Sequence, residues 1–178
     1  PISLATGILP VALGEATKTV GFITKATKRY SFRVRWGIAT DTEDSEGKIV
    51  AENPGRPDRA AIDAVVPRVV GTQAQHPPAY SAIKIAGERA YDLARGGAPV
   101  EIDARPITVH RLALAEMPNA DHAVLEAECS KGTYVRALAR DLGRRLGCFG
   151  HVTELRRLVV GPFDAATMIP LAALIDAR

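Results

Sequence analysis

The chain has few of the residues that build disulfide frameworks, and it has no stretch suited to a membrane. Only two of its 178 residues are cysteine. Cys129 and Cys148 form no CxxC pair, so a disulfide scaffold is excluded and both thiols are expected to be reduced and buried. No apolar run approaches the roughly 20 residues that span a bilayer, and no secretory signal is recognised. We therefore expect a cytoplasmic protein with no membrane partner.

Ligands for a metal ion are also scarce. Cys148 and His151 have the spacing of half a zinc site. The other histidines, His76, His110 and His122, supply no second half. We therefore expect no metal site.

The common catalytic motifs are missing. The sequence contains no GxGxxG, GxxxxGK[ST], HExxH or GxSxG pattern, so dinucleotide, P-loop, zincin and α/β-hydrolase functions lose their main support. The segment GEATKT at 14–19 resembles a phosphate loop only superficially, because its lysine follows Thr17 rather than a glycine.

Positive charge is mild overall but locally concentrated. The chain has a net charge of +3 and a pI near 9.1, which permits nucleic acid as a partner without requiring it. A single basic cluster is usually a solvated face, but three in one small domain favour a polyanionic partner. The clusters are Lys25, Lys28, Arg29, Arg33 and Arg35; Lys131, Arg136, Arg140, Arg144 and Arg145; and Arg156 and Arg157.

Apolar alternation and turn residues predict an α+β domain. KRYSFRVRWGI at 28–38 is a two-faced strand, with Tyr30, Phe32, Val34 and Trp36 on one side and basic residues on the other. Strands and helices mix without βαβ regularity, which predicts a largely antiparallel sheet flanked by helices. Further strands are predicted over 48–51, 106–116, 123–129 and 155–160, and helices over 57–70, 87–95 and 133–146 and after Pro170.

The helix predicted over 133–146 carries an arginine in an unfavourable place. If Thr133 is its N-cap, Arg136 lies in the first turn, where the helix dipole disfavours a cation by about 0.3–1 kcal/mol. One interpretation is a surface ladder of arginines with an intrahelical ion pair. The other is an arginine that binds a catalytic carboxylate, with neighbours that face phosphates. The ladder is Arg136, Arg140 and Arg144, and the pair is Asp141 and Arg145.

Five blocks of sequence, several of them long, form a more specific pattern. They are LATGILPVALGEATK at 4–18, KRY at 28–30, QHPPAYSAIKIAGERAYDLARGG at 75–97, SKGTYVRALARDLG at 130–143 and GCFGHVTELRRL at 147–158. In this order they resemble the TruB family of bacterial tRNA pseudouridine synthases along essentially the whole chain. The resemblance implies the pseudouridine-synthase fold, a mixed sheet with a central RNA-binding cleft. It also implies an isomerase that converts uridine 55 in the T-loop of tRNA without a cofactor or metal.

The resemblance also implies roles for individual residues. Tyr30 matches the tyrosine that packs against the target base, and Arg136 matches the arginine that pairs with the catalytic aspartate. Tyr134 and Leu155 match positions that contact the flipped nucleotide. From the residues alone, Tyr30, Tyr134 and Leu155 could equally be core residues. The RNA-binding residues are expected to be Lys131, Arg140 and Arg144, although a loop lysine such as Lys131 is more often only solvated.

The expected nucleophile is missing from the sequence. The family pattern before LATG is GTLDP, and here Ile2 stands where the aspartate belongs. The opening residues 1–3, PIS, also resemble a family motif that normally lies a few tens of residues upstream. We therefore interpret residues 1–178 as a catalytic domain whose catalytic loop is missing between Ser3 and Leu4. The remaining acids, Asp41, Asp44, Asp92, Asp141 and Glu15, are interpreted as structural.

Two features of the whole protein follow from the same resemblance. The small RNA-binding domain of PUA type that family members usually carry after this region is expected to be absent, and the protein is expected to be a monomer that binds the tRNA T-arm. Two alternatives remain open: a non-catalytic tRNA-binding protein or RNA chaperone, and a protein-interaction module whose basic clusters pair with acidic partners.

Overall fold

A six-stranded sheet forms the centre of the molecule. We describe a computed structural model over residues 4–85, 88–95, 102–170 and 173. The strand order is β1-β10-β2-β9-β8-β5, and every neighbouring pair is antiparallel except the parallel pair of β1 and β10. The strands are β1 (Ala5–Gly7), β2 (Lys28–Trp36), β5 (Gly71–Gln75), β8 (Arg105–Asn119), β9 (His122–Cys129) and β10 (Gly150–Val160).

Two small hairpins and four helices complete the described architecture. One two-stranded sheet joins β3 (Ile38–Thr40) to β4 (Ile49–Glu52), and another joins β6 (Lys84–Ile85) to β7 (Glu88–Arg89). Short 3-10 turns at Gly14–Thr19 and Val66–Val69 adjoin two of the helices. The helices are α1 (Val20–Lys25), α2 (Arg59–Val65), α3 (Ala90–Arg95) and α4 (Val135–Arg145).

The core lies between one face of the sheet and the helices α2 and α4. Phe32, Val34 and Trp36 of β2 are buried, as the alternation of that strand predicts. On β9 the buried residues also alternate, because every second side chain faces the helices. Helix α4 packs on β10 and β2, and α2 packs on β8. One apolar layer therefore fixes α4 above the middle of the sheet.

Several predicted boundaries shift in the structure. The helix predicted over 57–70 begins after Asp58, whose carboxylate accepts a hydrogen bond from the Ala61 N–H, and it ends as a 3-10 turn. Thr133 is not the N-cap of α4: Tyr134 occupies that position, without a side-chain cap. The Thr133 hydroxyl is buried and has no partner among the described residues. The helix predicted after Pro170 lies outside the described residues, except for residue 173.

The cysteines and the helices of the described residues bear on the disulfide and membrane expectations. Cys129 and Cys148 are free and buried. Across the described residues, no helix is both long and apolar enough to cross a membrane.

Candidate active site

A cleft of about 380 Å³ opens between β1 and the start of α4. Its walls bring together Tyr30 from β2, Tyr134 at the N-cap of α4 and Leu155 from β10. These residues are more than 20 positions apart in the sequence, so only the fold makes them neighbours. All three residues that the family resemblance assigns to substrate binding therefore share one cavity.

Two hydrogen bonds with Gln75 fix the position of Tyr134 at the wall of the cleft. The Gln75 side chain, at the end of β5, accepts a hydrogen bond from the Tyr134 N–H (2.9 Å) and donates one to the Tyr134 carbonyl (3.2 Å). Gln75 is buried, and two reciprocal bonds to one backbone unit leave that unit little freedom. Sequence analysis included Gln75 in the family block at 75–97 but gave it no role.

Burial affects the phenol of Tyr30. Removal from solvent raises the pKa of Tyr30 above its ordinary value, because burial disfavours the charged phenolate. The positive charge of nearby Arg157 opposes that rise. The hydroxyl therefore remains protonated near neutral pH and available as a donor.

Arg136 lies in a separate buried network next to the cleft. It sits in the first turn of α4 and is 6% exposed. Its guanidinium donates to the Thr42 carbonyl (2.7 Å), the Tyr80 carbonyl (2.7 Å) and Asp44 Oδ2 (3.0 Å). The anionic partner predicted for a first-turn arginine is therefore present, and it is Asp44.

Asp44 belongs to the turn between β3 and β4, and local bonds fix its position. Its carboxylate accepts hydrogen bonds from the Thr42 hydroxyl (2.6 Å) and the Glu46 N–H (3.1 Å). Asp44 is only 2% exposed. The interpretation of Asp44 as structural overlooked this contact with Arg136. The available signal was the predicted need of Arg136 for an anion.

Arg140 extends the same network by one helical turn. Its Nη1 bonds Glu43 Oε1 (2.5 Å), its Nε bonds Asp141 (2.8 Å) and its Nη2 donates to the His76 carbonyl (2.9 Å). Burial raises the pKa of Glu43 despite the opposing charge of Arg140. The guanidinium of Arg140 is thus engaged with protein groups.

The remaining predicted RNA contacts lie at the surface. Lys131 is exposed, and the Arg144 side chain is 68% exposed. Arg144 lies 4.0 Å from Asp141. The intrahelical pair predicted between Asp141 and Arg145 is wrong: Asp141 pairs instead with Arg140 (2.8 Å) and Arg144 (4.0 Å).

Among the residues that the structure describes, no three His, Cys, Asp or Glu side chains lie close enough together to hold a metal ion. Cys148 and His151, the half-site spacing in the sequence, are both buried. His151 Nδ1 bonds the Ile38 carbonyl (3.0 Å). The pKa of Cys148 is raised by burial, which disfavours the thiolate that a metal would need.

Comparison with protein families and relatives gives a consistent result. Residues 3–135 match the TruB family pseudouridylate synthase (N terminal domain), and residues 136–178 match the tRNA pseudouridylate synthase B C-terminal domain. The chain is 58% identical over 171 residues to a protein of Rhodopseudomonas palustris named tRNA pseudouridine synthase B, covering 96% of this chain and 47% of that protein. The chain is 59% identical to the protein of the same name from Bradyrhizobium diazoefficiens, and the alignment covers 96% of this chain and 50% of that protein. The chain thus spans about half the length of these curated relatives.

Two solved structures have a similar fold. The match to a chain in "Crystal Structure of a Cbf5-Nop10-Gar1 Complex" has a TM-score of 0.71 and 26% identity, covering 97% of this chain and 42% of that one. A chain in "Structure of H/ACA RNP bound to a substrate RNA containing 2'-deoxyuridine" matches in fold, with a TM-score of 0.69, 24% identity, and coverage of 97% and 40%. The predicted pseudouridine-synthase fold is confirmed.

Proposed function

Because this chain belongs to the TruB family of pseudouridylate synthases, we propose that it is the catalytic domain of an isomerase that converts uridine 55 in the T-loop of tRNA to pseudouridine. The observation that carries the proposal is the convergence of Tyr30, Tyr134 and Leu155 on one cleft. Uridine must leave the T-loop stack to be isomerised. An aromatic wall and an apolar side chain replace the stacking that the base loses.

The reaction needs an ionised carboxylate and a dry pocket. Breaking the glycosidic bond and rejoining uracil through carbon-5 takes one nucleophile or charge stabiliser. We propose that an aspartate in a loop between Ser3 and Leu4 of the full-length protein supplies it. Arg136 Nε is buried and has no partner among the described residues, so one donor of this guanidinium is available to a carboxylate. An arginine in that position would lower the pKa of the aspartate and keep it ionised.

The proposed substrate is recognised mainly through its backbone. Exposed basic side chains, among them Lys131 and Arg144, are suited to phosphates of the T-arm. The proposal includes a monomeric protein acting in the cytoplasm, where unmodified tRNA is found. It requires no cofactor, since an isomerisation consumes no oxidant, reductant or group donor.

The test uses the full-length protein and a T-arm transcript labelled as [5-³H]uridine. Rejoining the base through carbon-5 releases tritium, so stoichiometric release supports the proposed function. A transcript with cytidine at position 55 controls for other uridines. The Arg136→Lys variant, which keeps a positive charge beside Asp44 but removes the Nε donor, should release far less tritium while retaining RNA binding.

A binding-only function is the specific alternative, because Ile2 stands where the aspartate belongs. It predicts tRNA binding with a steep salt dependence and no tritium release. Peptide mapping of the purified full-length protein separates the two. Peptides with an aspartate between Ser3 and Leu4 are expected if the loop exists, and a peptide that joins Ser3 directly to Leu4 would favour the binding-only function.

A further inference from the structure

The turn between β3 and β4, residues 41–47, is attached to α4 through two consecutive acidic residues. Glu43 pairs with Arg140 (2.5 Å), and Asp44 pairs with Arg136 (3.0 Å). The two arginines are four positions apart, so they lie one above the other on the same face of α4. Adjacent acids of the turn therefore bind successive turns of one helix.

The backbone of Glu43 is strained where it makes this contact. Its φ is +62°, and among the residues that the structure describes it is the one non-glycine residue with a positive φ. The left-handed conformation is costly for a residue with a side chain, and it persists where the surroundings hold it in place. The backbone here is bound to β10, because the Glu43 carbonyl accepts from the Val152 N–H (3.1 Å) and the Ser45 N–H donates to the Val152 carbonyl (3.0 Å).

Arg140 is bonded to protein groups on every side. Besides Glu43, its guanidinium bonds Asp141 through Nε (2.8 Å) and donates to the His76 carbonyl through Nη2 (2.9 Å). All three of its nitrogens are engaged, and its side chain is 16% exposed. Arg144, one helical turn further along, is exposed instead. Arg140 is therefore suited to fix protein groups, whereas Arg144 is suited to face a polyanion.

The position of this turn decides how the Arg136 guanidinium is held. Two of its three partners belong to the turn, because the Asp44 carboxylate and the Thr42 carbonyl both accept from Nη1. The third partner, the Tyr80 carbonyl, accepts from Nη2. Since Glu43 lies between Thr42 and Asp44 in the chain, its attachment to α4 restrains both of these acceptors.

We propose that Glu43 and Arg140 are positioning residues, whose ion pair locks the turn onto α4 and fixes the Arg136 guanidinium in the orientation that leaves its Nε free for a carboxylate. This inference deepens the proposed function and rests on it only for the effect on the reaction. It assigns Arg140 to the protein network rather than to an RNA phosphate. The hold on Arg136 is a property of the free protein and can be measured without a reaction.

The first experiment measures how fast the Nε proton of Arg136 exchanges with water, by NMR of the full-length protein labelled with ¹⁵N-arginine. The signal is identified by its absence from the Arg136→Lys variant. Glu43→Gln removes the carboxylate from Arg140, so local opening of the turn should speed this exchange about 10-fold or more. An unchanged exchange rate in Glu43→Gln would overturn the proposal.

The matched control is Asp141→Asn, because Asp141 is also bonded to Arg140 but does not belong to the turn. It removes the same charge from the same guanidinium, and it should change the Arg136 exchange rate by about 2-fold or less. Equal acceleration in the two variants would show that charge, rather than attachment of the turn, controls Arg136, and the positioning role would be wrong.

The salt dependence of RNA binding separates a positioning role from a phosphate contact. The double variant Glu43→Gln/Arg140→Gln removes both charges of the pair, so neither is left buried without the other. If Arg140 does not touch the RNA, the slope of log affinity against log salt for a T-arm transcript should stay the same. A slope reduced by about one unit would show that Arg140 contacts a phosphate, contrary to the proposal.

Tritium release by the full-length protein tests the effect on the reaction. Glu43→Gln should lower kcat about 10-fold or more with little change in KM, and it should have no further effect in an Arg136→Lys background. Additive losses would contradict a role exerted through Arg136. If the wild-type protein releases no tritium while Glu43→Gln still speeds the exchange of the Arg136 proton, the proposed function fails and the positioning role stands.

Discussion

At the scale of single residues, the buried contact between Arg136 and Asp44 explains how α4 accommodates a cation in its first turn. A cation near a helix N-terminus opposes the helix dipole. The Asp44 carboxylate lies 3.0 Å from Nη1 and offsets that repulsion, and two backbone carbonyls accept further bonds. The first turn of α4 can therefore hold an arginine at a position that would otherwise destabilise the helix.

Replacing Asp44 with asparagine preserves its shape but leaves the charge of Arg136 buried without a carboxylate. Removal of one partner from a buried pair costs about 3–5 kcal/mol, and we expect Asp44→Asn to reduce the free energy of unfolding by that amount in urea titrations. The control is Asp63→Asn, because Asp63 pairs with Arg59 at 3.8 Å with both side chains more than half exposed. That pair should contribute about 1 kcal/mol or less, and equal losses in the two variants would contradict the expectation.

The sequence predicted that Arg136 needs an anion, but it could not identify Asp44. The two residues are 92 positions apart, and Asp44 lies in a turn rich in Asp, Ser and Gly, where acids usually serve local turn geometry. The contact depends on how β3, β4 and α4 pack together. The cleft residues Tyr30, Tyr134 and Leu155 could be proposed from the family resemblance, whereas Gln75 and Asp44 become visible only in three dimensions.

At the scale of secondary structure, the close approach of α4 to the start of β10 depends on a small residue. Gly143 lies within α4, and a Cβ there would be 2.5 Å from the Gly150 backbone nitrogen and 2.7 Å from the Phe149 carbonyl carbon. The contact is with backbone, which cannot move aside as a flexible side chain could. The helix therefore lies directly on the chain that enters β10.

Two helical glycines provide a matched test of that contact. Alanine is favoured over glycine within a helix by about 1 kcal/mol. Gly21 in α1 has no heavy atom within 4 Å of an added Cβ, so Gly21→Ala should raise the free energy of unfolding by up to about that amount. Gly143→Ala should lower it by about 1–3 kcal/mol through overpacking. Urea unfolding of both variants checks the prediction, and a gain in stability for Gly143→Ala would show that α4 can shift.

Sequence patterns located most elements but not all of their partners. The apolar residues of β2 and α4 face the same core, so they recur with the spacing of a strand and of a helix, and this spacing can be recognised in the sequence. The pairing of β1 with β10 was not predicted, because a three-residue strand has no measurable period. The N-cap of α4 was misplaced by one residue, since Thr133 has the residue type of a cap while the chain turns into the helix at Tyr134.

At the scale of the whole molecule, a buried histidine makes stability depend on pH. Burial lowers the pKa of His151 below its ordinary value of 6.5, so the unfolded chain takes up a proton at a higher pH than the folded protein. The stabilising effect is present above the unfolded pKa and is lost as the pH falls through the folded pKa. The loss is at most about 1.4 kcal/mol for each pH unit in that window.

The His151→Asn variant tests this dependence, because an amide can still donate to the Ile38 carbonyl but does not titrate. Urea unfolding at pH 7.5 and at pH 5 should show a smaller loss of stability for the variant than for the wild type. The exposed His110 serves as the control, and His110→Asn should lose as much stability as the wild type. Equal pH slopes in all three proteins would exclude His151 as the cause.

The surface charge of α4 makes a prediction for RNA binding. Since Arg144 is largely exposed, Arg144→Glu should weaken binding to a T-arm transcript and reduce the slope of log affinity against log salt by about one unit. Arg59→Glu on α2 reverses an exposed charge on a helix that does not line the cleft, and it should weaken binding less. Binding that is indifferent to both reversals would favour a protein-interaction module.

The pairing of β1 with β10 also determines when the cleft can form during synthesis. The Arg157–Ile8 bonds join residues 149 positions apart, and such contacts of high sequence separation form slowly because a long loop must close first. The hairpin of β8 and β9 can form early from local contacts. A nascent chain cannot complete the cleft until β10, which pairs with both β1 and β2, has left the ribosome. Ribosome-bound chains stalled before β10 should therefore carry a partly formed sheet and lack the cleft.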